Sequence, residues 1–259
     1  MPSRSRPVFC FSGVDTVVTK DDGEVPMREL KIGQEVMVGD NIFEKVYGFG
    51  HYHNSLDAEF LQIHLQSTQT PLELSASHMV FVKDNHSIPA SLLKRGDNVM
   101  LGNGGEAGVV SINHVVRKGV FAPFTPSGKI VVNGVLASTF VAMQESSHLT
   151  IGKKATPWSL QWLALTFEAP HRVYCALASS GCEDEAYSEE GLSVWVAYPF
   201  RFSEWLVEQN DIVVVLVMLP LALLFSVFSV VEALLLNGAL GVVAVLSVLM
   251  LISREKRLK

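Results

Sequence analysis

A motif that occurs twice places the strongest constraint on how this chain folds. Residues 26–37 and 89–100 share the pattern Pro-x3-Leu-Lys-x-Gly-x2-Val-Met and begin 63 residues apart. Six shared positions in one register indicate an internal duplication. Each copy starts at proline, turns at glycine and leads into a strand, which is the pattern of a short turn. The repeat therefore predicts two similar β subdomains related by a pseudo-twofold axis.

Residues 10 to 143 as a whole have the pattern of an all-β domain. Short apolar stretches alternate with turn signals such as Asp22-Gly23 and Asn103-Gly104. In residues 60–66 the apolar side chains alternate with polar ones, which predicts a half-buried strand. No amphipathic helix separates these strands, so a βαβ architecture is excluded.

The charge balance excludes one class of partner. The formal net charge is -6, with 20 Lys and Arg against 26 Asp and Glu. A nucleic-acid backbone requires a clustered excess of Lys and Arg. We therefore expect no nucleic-acid partner.

The C-terminal part of the chain has the composition of a membrane anchor. Residues 212–253 contain one ionisable side chain, Glu232. One helix of that length would measure about 60 Å, twice the roughly 30 Å thickness of bilayer hydrocarbon, so the run must turn. Asn237-Gly238 predicts a turn between helices at about 211–234 and 239–253.

This assignment leaves the membrane topology open. The alternative to two helices is one span over 212–231 followed by an interfacial remainder. The basic tail, 254–259, favours a cytoplasmic C-terminus. A hairpin would then keep the β domain cytoplasmic, whereas one span would place it outside. We expect a membrane localisation with 211–253 as the transmembrane region.

The three cysteines fall into two groups. Cys175 and Cys182 lie in one loop and either form a disulfide or stay reduced. Cys10 is the only cysteine in the first 174 residues and begins the folded domain. An early lone cysteine with a distant histidine is a candidate nucleophile, and a small buried hydrophobe is the alternative.

Several motifs along the first 143 residues resemble one family. Cys10-Phe11-Ser12-Gly13, Ser75-Ala76-Ser77-His78, residues 130–138 and the repeat occur in the order and spacing of the Hint domain of Hedgehog autoprocessing proteins, which is related to inteins. The resemblance covers residues 9–143 and implies a horseshoe-like all-β fold with the Hint domain at 10–145. Residues 1–9 then form a short N-terminal segment.

The resemblance implies a self-cleavage reaction. The thiol of Cys10 would attack the carbonyl of Phe9 and exchange the Phe9-Cys10 amide for a thioester. Ser75 and His78 match the family's Thr-x-x-His motif, with Ser in place of Thr. The resemblance assigns the hydroxyl to hydrogen bonding around the scissile amide and His78 to protonating the leaving nitrogen. A satisfied core histidine is the alternative for His78.

The second step needs an acceptor for the thioester. Hedgehog proteins use a sterol hydroxyl and an acidic residue, and this sequence has His51 at the corresponding place. A histidine acts as a base at neutral pH more readily than a carboxylate does. A polar surface residue, or an adventitious metal contact with His53, is the alternative for His51.

Several acceptors and partners follow from this comparison. A sterol, another lipid alcohol, water or an amine can accept the acyl group, and the domain's own N-terminal segment is the substrate. We expect neither a cofactor nor a metal. The chain lacks the C-terminal His-Asn of splicing inteins around residues 141–144, so cleavage is expected without splicing.

The sequence departs from the family at three positions. Nine residues precede Cys10, without an apolar core of signal-peptide length, so cleavage would release a short peptide. Either the natural N-terminus lies further upstream or the domain has lost its substrate. Phe9 replaces the usual glycine, and Thr139 stands where Hedgehog proteins often carry a cysteine.

Two further segments lie between the Hint domain and the apolar run. Residues 156–172 resemble the lipid-engaging helix that follows the Hint domain in Hedgehog-like proteins, and we predict one amphipathic helix between Pro157 and Pro170. It contacts either a membrane interface or the β domain. Residues 173–210 are predicted to be an acidic, solvated connector. The sequence thus predicts a membrane-anchored autoprocessing domain, and an inactive Hint-fold module for binding or anchoring is the alternative.

Overall fold

The computed structural model describes residues 10–66, 68–83, 86–178, 182 and 186–236. Most of the first 159 residues form β-strands, and the following residues form helices. The strands are β1 (Phe11–Ser12), β2 (Thr16–Thr19), β3 (Gly23–Pro26), β4 (Glu35–Gly39), β5 (Ile42–Lys45), β6 (Gly48–Leu65), β7 (Leu72–Leu74), β8 (His78–Val82), β9 (His86–Pro89), β10 (Asn98–Met100), β11 (Glu106–Phe124), β12 (Lys129–Val132), β13 (Val135–Val141), β14 (His148–Ile151) and β15 (Lys154–Ser159). The predicted all-β domain is confirmed.

The strands β1 to β13 form one continuous antiparallel network. Its order is β1-β7-β6-β11-β10-β8-β13-β12-β2-β4-β5, with β3 beside β2 and β9 beside β8. The longest strands, β6 and β11, pair over most of their length and are interrupted by bulges. Apolar side chains from both halves of this network, including Phe11, Phe49 and Phe121, form the main core.

The duplicated motif folds in the same way in both copies. In each copy a proline ends a strand and a single turn of 3-10 helix follows, at Met27–Glu29 and at Ala90–Leu92. A glycine with positive φ then reverses the chain, with φ of 94° at Gly33 and 93° at Gly96. A residue with a Cβ is strained there, which explains why both copies carry glycine.

The two halves correspond beyond the motif itself. The hairpin β2–β3 is followed by β4, which pairs with β2, and the hairpin β8–β9 is followed by β10, which pairs with β8. The chain then enters the long strands β6 and β11, each of which crosses to the other half. These equivalent pairings agree with the predicted pseudo-twofold relation.

The helical part begins later than the sequence pattern predicts. Residues 156–159 belong to β15, and α1 spans Leu160–Phe167. Ser159 caps this helix by accepting a hydrogen bond from the backbone N–H of Trp162. Pro170 does not end a helix but lies in the first turn of α2 (Ala169–Leu177), where its missing N–H is tolerated. The prediction of a single helix at 156–172 is therefore wrong. Pro157 lies in a strand and does not begin a helix, and Pro170 lies at the start of a helix and does not end one.

The segment predicted as a solvated connector is partly folded against the domain. Helix α3 spans Val194–Val207, and Trp195 stacks on the buried ring of His171 at 4.7 Å. Cys175 and Cys182 form a disulfide with a Cα–Cα distance of 5.6 Å. The prediction of a solvated segment over 173–210 is wrong where Trp195 packs on His171 and where the disulfide is buried. The acidic residues 183–185 lie outside the described residues.

The apolar run begins as one long helix, α4 (Asp211–Leu236). Within residues 211–234 an 18-residue stretch has a mean hydropathy of 2.8, and by length and composition this helix could cross a membrane. The predicted second helix, 239–253, and the basic tail lie outside the described residues.

Candidate active site

Cys10 lies where the described chain begins, immediately before β1. Its side chain is fully buried, beside Ala58, Phe60, Val120 and Ala122. The next residue, Phe11, pairs with Leu74 on one side and with Phe121 on the other. Cys10 is therefore held by its own strand, which lies between β7 and β11.

Ser75 holds the backbone of Cys10 on two sides. Its hydroxyl accepts a hydrogen bond from the backbone N–H of Cys10 at 3.1 Å. Its own N–H donates to the carbonyl of Cys10 at 2.9 Å. The nitrogen of Cys10 is the leaving atom if the chain is cut before this residue, so a hydroxyl lies at the atom where a proton is needed.

His51 contacts the thiol itself. Its Nδ1 lies 3.0 Å from the Sγ of Cys10, and the Nε2 lies 2.6 Å from the carbonyl oxygen of Glu190. A carbonyl can only accept, so the Nε2 carries the proton and the Nδ1 of neutral His51 is an acceptor for the thiol proton. Burial lowers the pKa of His51 below its ordinary value. The ring is therefore neutral at pH 7 and can act as a base.

A late segment of the chain fixes His51 in this position. The carbonyl of Gly191 accepts from the N–H of Tyr52 at 2.8 Å, and the N–H of Ser193 donates to the carbonyl of Gly50 at 3.1 Å. A Cβ at Gly191 would lie 2.7 Å from the Cβ of His53, and its φ is +85°. Only glycine allows such a close approach. Leu192, the next residue, forms an isolated antiparallel bridge with His51 on β6.

His78 lies one turn away from Ser75. Its N–H donates to the carbonyl of Ser75 at 3.0 Å, and its ring centroid is 4.1 Å from that of Phe11. The Nε2 donates to the carbonyl of Ser138 at 2.8 Å, whereas the buried Nδ1 has no hydrogen-bond partner among the described residues. Burial lowers the pKa of His78 to about 4. The His78 ring is therefore neutral at pH 7, with an unprotonated Nδ1 beside β1.

Comparisons with known proteins identify the family of the chain. A family model described as the Hint module matches residues 3–208, which is more than half of the chain. The chain belongs to the Hint module family. The Sonic hedgehog protein of Danio rerio is 25% identical over 219 residues, covering 78% of this chain and 50% of that protein. Warthog protein 6 of Caenorhabditis elegans is 31% identical over 146 residues, covering 50% of this chain and 24% of that protein.

These matches confirm the predicted Hedgehog-type Hint domain. The matched part of the chain spans 50% of the length of the Danio rerio relative. Among solved structures, the gp41-1 intein is similar with a TM-score of 0.43 and 14% identity, over 50% of this chain and 98% of the intein.

A cavity of about 1060 Å³ opens beside the Hint site. His51 and Ser75 line it, together with polar groups and with apolar groups from four parts of the chain. These include Phe60, Pro89, Ala142, Met143, Leu192 and Phe200. The two side chains that bind Cys10 are thus accessible from a space that is large enough for a small molecule.

A second buried network fixes the strand that leads to Ser75. The carboxylate of Asp15 accepts from the side-chain amide of Asn133 at 2.6 Å and from the N–H of Glu73 at 3.2 Å. Burial, with a smaller contribution from Glu73, raises the pKa of Asp15 well above its ordinary value. Arg117 forms a bidentate pair with Glu73. The sequence analysis missed these groups, because buried carboxylates have no signal in hydropathy.

The structure therefore places both Ser75 and His51 in contact with Cys10. The predicted site residue His78 lies next to them, with its backbone bonded to Ser75 and its ring against Phe11. Phe9 lies outside the described residues. Sequence reasoning placed His51 only at the acceptor step and missed its contact with the thiol. It also missed the Glu190 carbonyl, because a backbone acceptor leaves no trace in the side-chain sequence.

One group of side chains has the composition of a metal site. His171, Cys175 and Cys182 are the only described His, Cys, Asp or Glu side chains that cluster closely enough for three ligands. The two sulfur atoms are bonded to each other, so this group could bind a metal only after reduction.

Proposed function

We propose that this Hint domain cleaves its own chain before Cys10 through a thioester. The observation that carries the proposal is the 3.0 Å contact between the Cys10 thiol and the Nδ1 of His51. A thiol is a poor nucleophile until it loses its proton, and an adjacent base with a fixed tautomer removes it. Ser75 adds hydrogen bonds to both backbone groups of the same residue.

The first step exchanges one bond for another. His51 takes the thiol proton on Nδ1, and the sulfur attacks the carbonyl carbon of Phe9. The C–N bond to Cys10 then breaks as the C–S bond remains. The nitrogen leaves with an added proton and becomes the free α-amine of Cys10. Ser75 lies 3.1 Å from this nitrogen and keeps the amide oriented.

His78 is the proposed acid for the leaving nitrogen. A pKa of about 4 makes its protonated form a strong acid, although only a small fraction is protonated at pH 7. The Ser138 carbonyl holds the Nε2–H, so a proton can be added only at Nδ1. The imidazolium therefore forms transiently and transfers its proton at once to the more basic tetrahedral amine.

His51 is also the proposed base for the second step. Once Cys10 is acylated, His51 first releases the thiol proton to water, which its lowered pKa favours. Its Nδ1 can then accept a proton from an incoming hydroxyl, whose oxygen attacks the thioester carbonyl carbon as the C–S bond breaks and the Cys10 thiolate leaves. The cavity beside His51 and Ser75 is the entry route for this acceptor. Its lining combines apolar side chains such as Phe60 and Met143 with charged ones such as Glu145 and Arg201. The apolar part favours a lipid alcohol, of which a sterol is one example, and water or an amine is the alternative.

Membrane anchoring is the second part of the proposal. Helix α4 carries no ionisable side chain between Ile212 and Val231, and its 18-residue stretch with a mean hydropathy of 2.8 suits hydrocarbon. Several of its large side chains are exposed, including Ile212 and Leu216. We expect truncation before Asp211 to release the protein from alkaline-washed membranes, because each buried apolar side chain contributes roughly 1.5 to 3 kcal/mol.

A fusion with a folded reporter before Val8 tests self-cleavage. The fusion should be cut between Phe9 and Cys10, and hydroxylamine or dithiothreitol should accelerate release, because they attack thioesters and spare amides. The matched Cys10→Ala fusion should stay intact. A wild-type fusion that remains whole in strong thiol would support the alternative of a catalytically inactive Hint-fold module that binds or anchors.

A further inference from the structure

Helix α4 contacts the rest of the protein at three points along its length. Near its start, the carboxylate of Asp211 faces Gly152, where an added Cβ would lie 3.1 Å from it. In its second half, the ring of Phe225 lies 4.7 Å from that of Phe167. Near its end, Glu232 pairs with Arg172. The helix is thus held near both of its ends and also between them.

The contact at the end of the helix is a buried bidentate ion pair. The Arg172 Nε and Nη2 donate to the two carboxylate oxygens of Glu232 at 2.6 and 2.7 Å, and Nη1 donates to the Leu165 carbonyl at 2.8 Å. Only 6% of the Arg172 side chain and 13% of the Glu232 side chain are exposed. Losing one partner would leave an uncompensated buried charge, so the pair strongly fixes the docked geometry.

These three contacts occur in the same order along α4 and along the segment on which it packs. As α4 runs from Asp211 to Glu232, its neighbours run from Gly152 through Phe167 to Arg172. Twenty-one residues of helix rise about 32 Å, which is close to the thickness of bilayer hydrocarbon. If α4 crossed a membrane in this arrangement, the β14–β15 hairpin, α1 and α2 would have to cross with it.

The neighbours of α4 are unsuited to that position. The hairpin tip carries exposed Lys153 and Lys154. Helix α1 buries Leu160 and Leu163 in a cluster with Phe140 of the β domain. Moving α1 into hydrocarbon would therefore draw the polar β domain in as well, at a cost of several kcal/mol for each unsatisfied polar group.

The face of α4 turned away from the protein is continuously apolar. Its most exposed large side chains recur every three or four residues, which places them on one side of the helix. They are Ile212, Leu216, Leu219, Leu223, Val227 and Val230, exposed by 73, 68, 51, 63, 60 and 59%. A helix that is docked on one side and apolar on the other fits a single lipid leaflet.

We propose that α4 lies in the plane of the membrane, with its exposed face in one leaflet, and does not cross it. The Arg172–Glu232 pair holds it in that orientation. The proposal rests on the membrane-anchoring part of the proposed function and is independent of self-cleavage. It places the cavity beside His51 at a fixed height above the membrane surface.

Depth measurements along the exposed face test this orientation. Ile212, Leu219, Leu223 and Val230 are each replaced by cysteine in a full-length Cys10→Ala chain, and each thiol is labelled with a fluorophore under non-reducing conditions. Quenching is then measured in phosphatidylcholine vesicles brominated at different acyl depths. An in-plane helix gives one shared shallow depth at all four positions.

A crossing helix gives a different profile. Its labels would be deepest at Leu219 and Leu223, with Ile212 and Val230 near opposite surfaces about 27 Å apart, and that result would overturn the proposal. A protein that shows no quenching at any position would overturn both this orientation and membrane anchoring. Cleavage of the reporter fusion would still test the self-cleavage proposal separately.

The ion pair is tested with a matched pair of variants. Arg172→Ala should abolish the shared depth, because α4 loses its contact at the Glu232 end. The double variant R172E/E232R restores opposite charges at the same place and should restore the shared depth. Circular dichroism checks that the β domain remains folded in both. A flat profile that persists in Arg172→Ala would overturn the role given to the ion pair.

Discussion

Replacing His51 by alanine should slow formation of the thioester in a way that depends on pH. The Nδ1 of His51 lies 3.0 Å from the Cys10 thiol, so the variant removes the only described side-chain base in contact with the sulfur. The thiol must then ionise by loss of its proton to water. This expectation differs from one in which His51 serves only the acceptor step.

The size of the effect follows from ionisation. An ordinary cysteine, with a pKa of about 8.5, is only about 3% thiolate at pH 7. Removal of this proton by His51 as the sulfur attacks is therefore worth about 30-fold at pH 7, just below the roughly 10²- to 10⁴-fold range of general-base assistance. At pH 9.5 most of an ordinary thiol is already ionised, so the advantage of wild type should shrink to about two-fold or less.

The assay is release of the reporter from the fusion at pH 6.5 to 9.5. Dithiothreitol is added until the rate no longer depends on its concentration, so that thioester formation limits the rate. His64→Ala is the control, because His64 lies on the same strand and bonds to Gln62 instead of to the site. It should follow the wild-type profile.

Two results would refute this reasoning. If His51→Ala equals wild type at pH 7, His51 does not activate the thiol. If the variant stays slow by the same factor up to pH 9.5, His51 supports the fold or the acceptor and not deprotonation.

Three further outcomes are expected. Ser75→Ala should slow release of the reporter by about ten-fold or more, because an unsatisfied buried N–H costs about 1 to 3 kcal/mol, and Ser75→Thr should keep most of the rate. Burial lowers the pKa of His78 to about 4, so below pH 6.5 the unfolded state binds a proton that the folded state does not. The free energy of unfolding should therefore fall by about 3 kcal/mol between pH 6.5 and 4 because of this residue. Urea titrations of His78→Gln should lack that part of the fall. Gly191→Ala should abolish cleavage and expose His51 to solvent, which NMR titration would detect as a rise in the pKa of His51. Gly96→Ala is the control, because Gly96 has a similar φ of +93° but an added Cβ would meet nothing within 4 Å, and the pKa of His51 should stay unchanged.

The sequence predicted those parts of the fold that local chemistry determines. A glycine at the same place in both copies of the repeat was enough to predict the turns, because a positive φ is required there. The alternation in residues 60–66 correctly predicted the buried side of β6, since Leu61, Ile63 and Leu65 are buried. The four site residues could be named because the motifs identified their positions in the Hint domain.

The parts that were missed depend on distant contacts. The register between β6 and β11 carries His51 to Cys10 across 41 residues of sequence, and no local pattern encodes that distance. Pro157 was predicted to start a helix, but it lies in β15 because that strand pairs with β14. The acidic composition of residues 173–210 suggested solvent, yet Trp195 and the disulfide bury part of it.

The carbonyl of Glu190 means that the reacting unit of this protein is longer than its β domain. A fragment ending near residue 145 would keep Cys10, Ser75 and His78 and could still fold as a sheet. It would, however, expose His51 to water and release its ring, because the acceptor at 2.6 Å would be missing. In such a fragment His51 would carry its proton on Nδ1 for part of the time, and in that tautomer it cannot accept the proton of the Cys10 thiol. Slow cleavage by it would therefore measure the truncation, and fragments used for kinetics need to extend at least through Ser193.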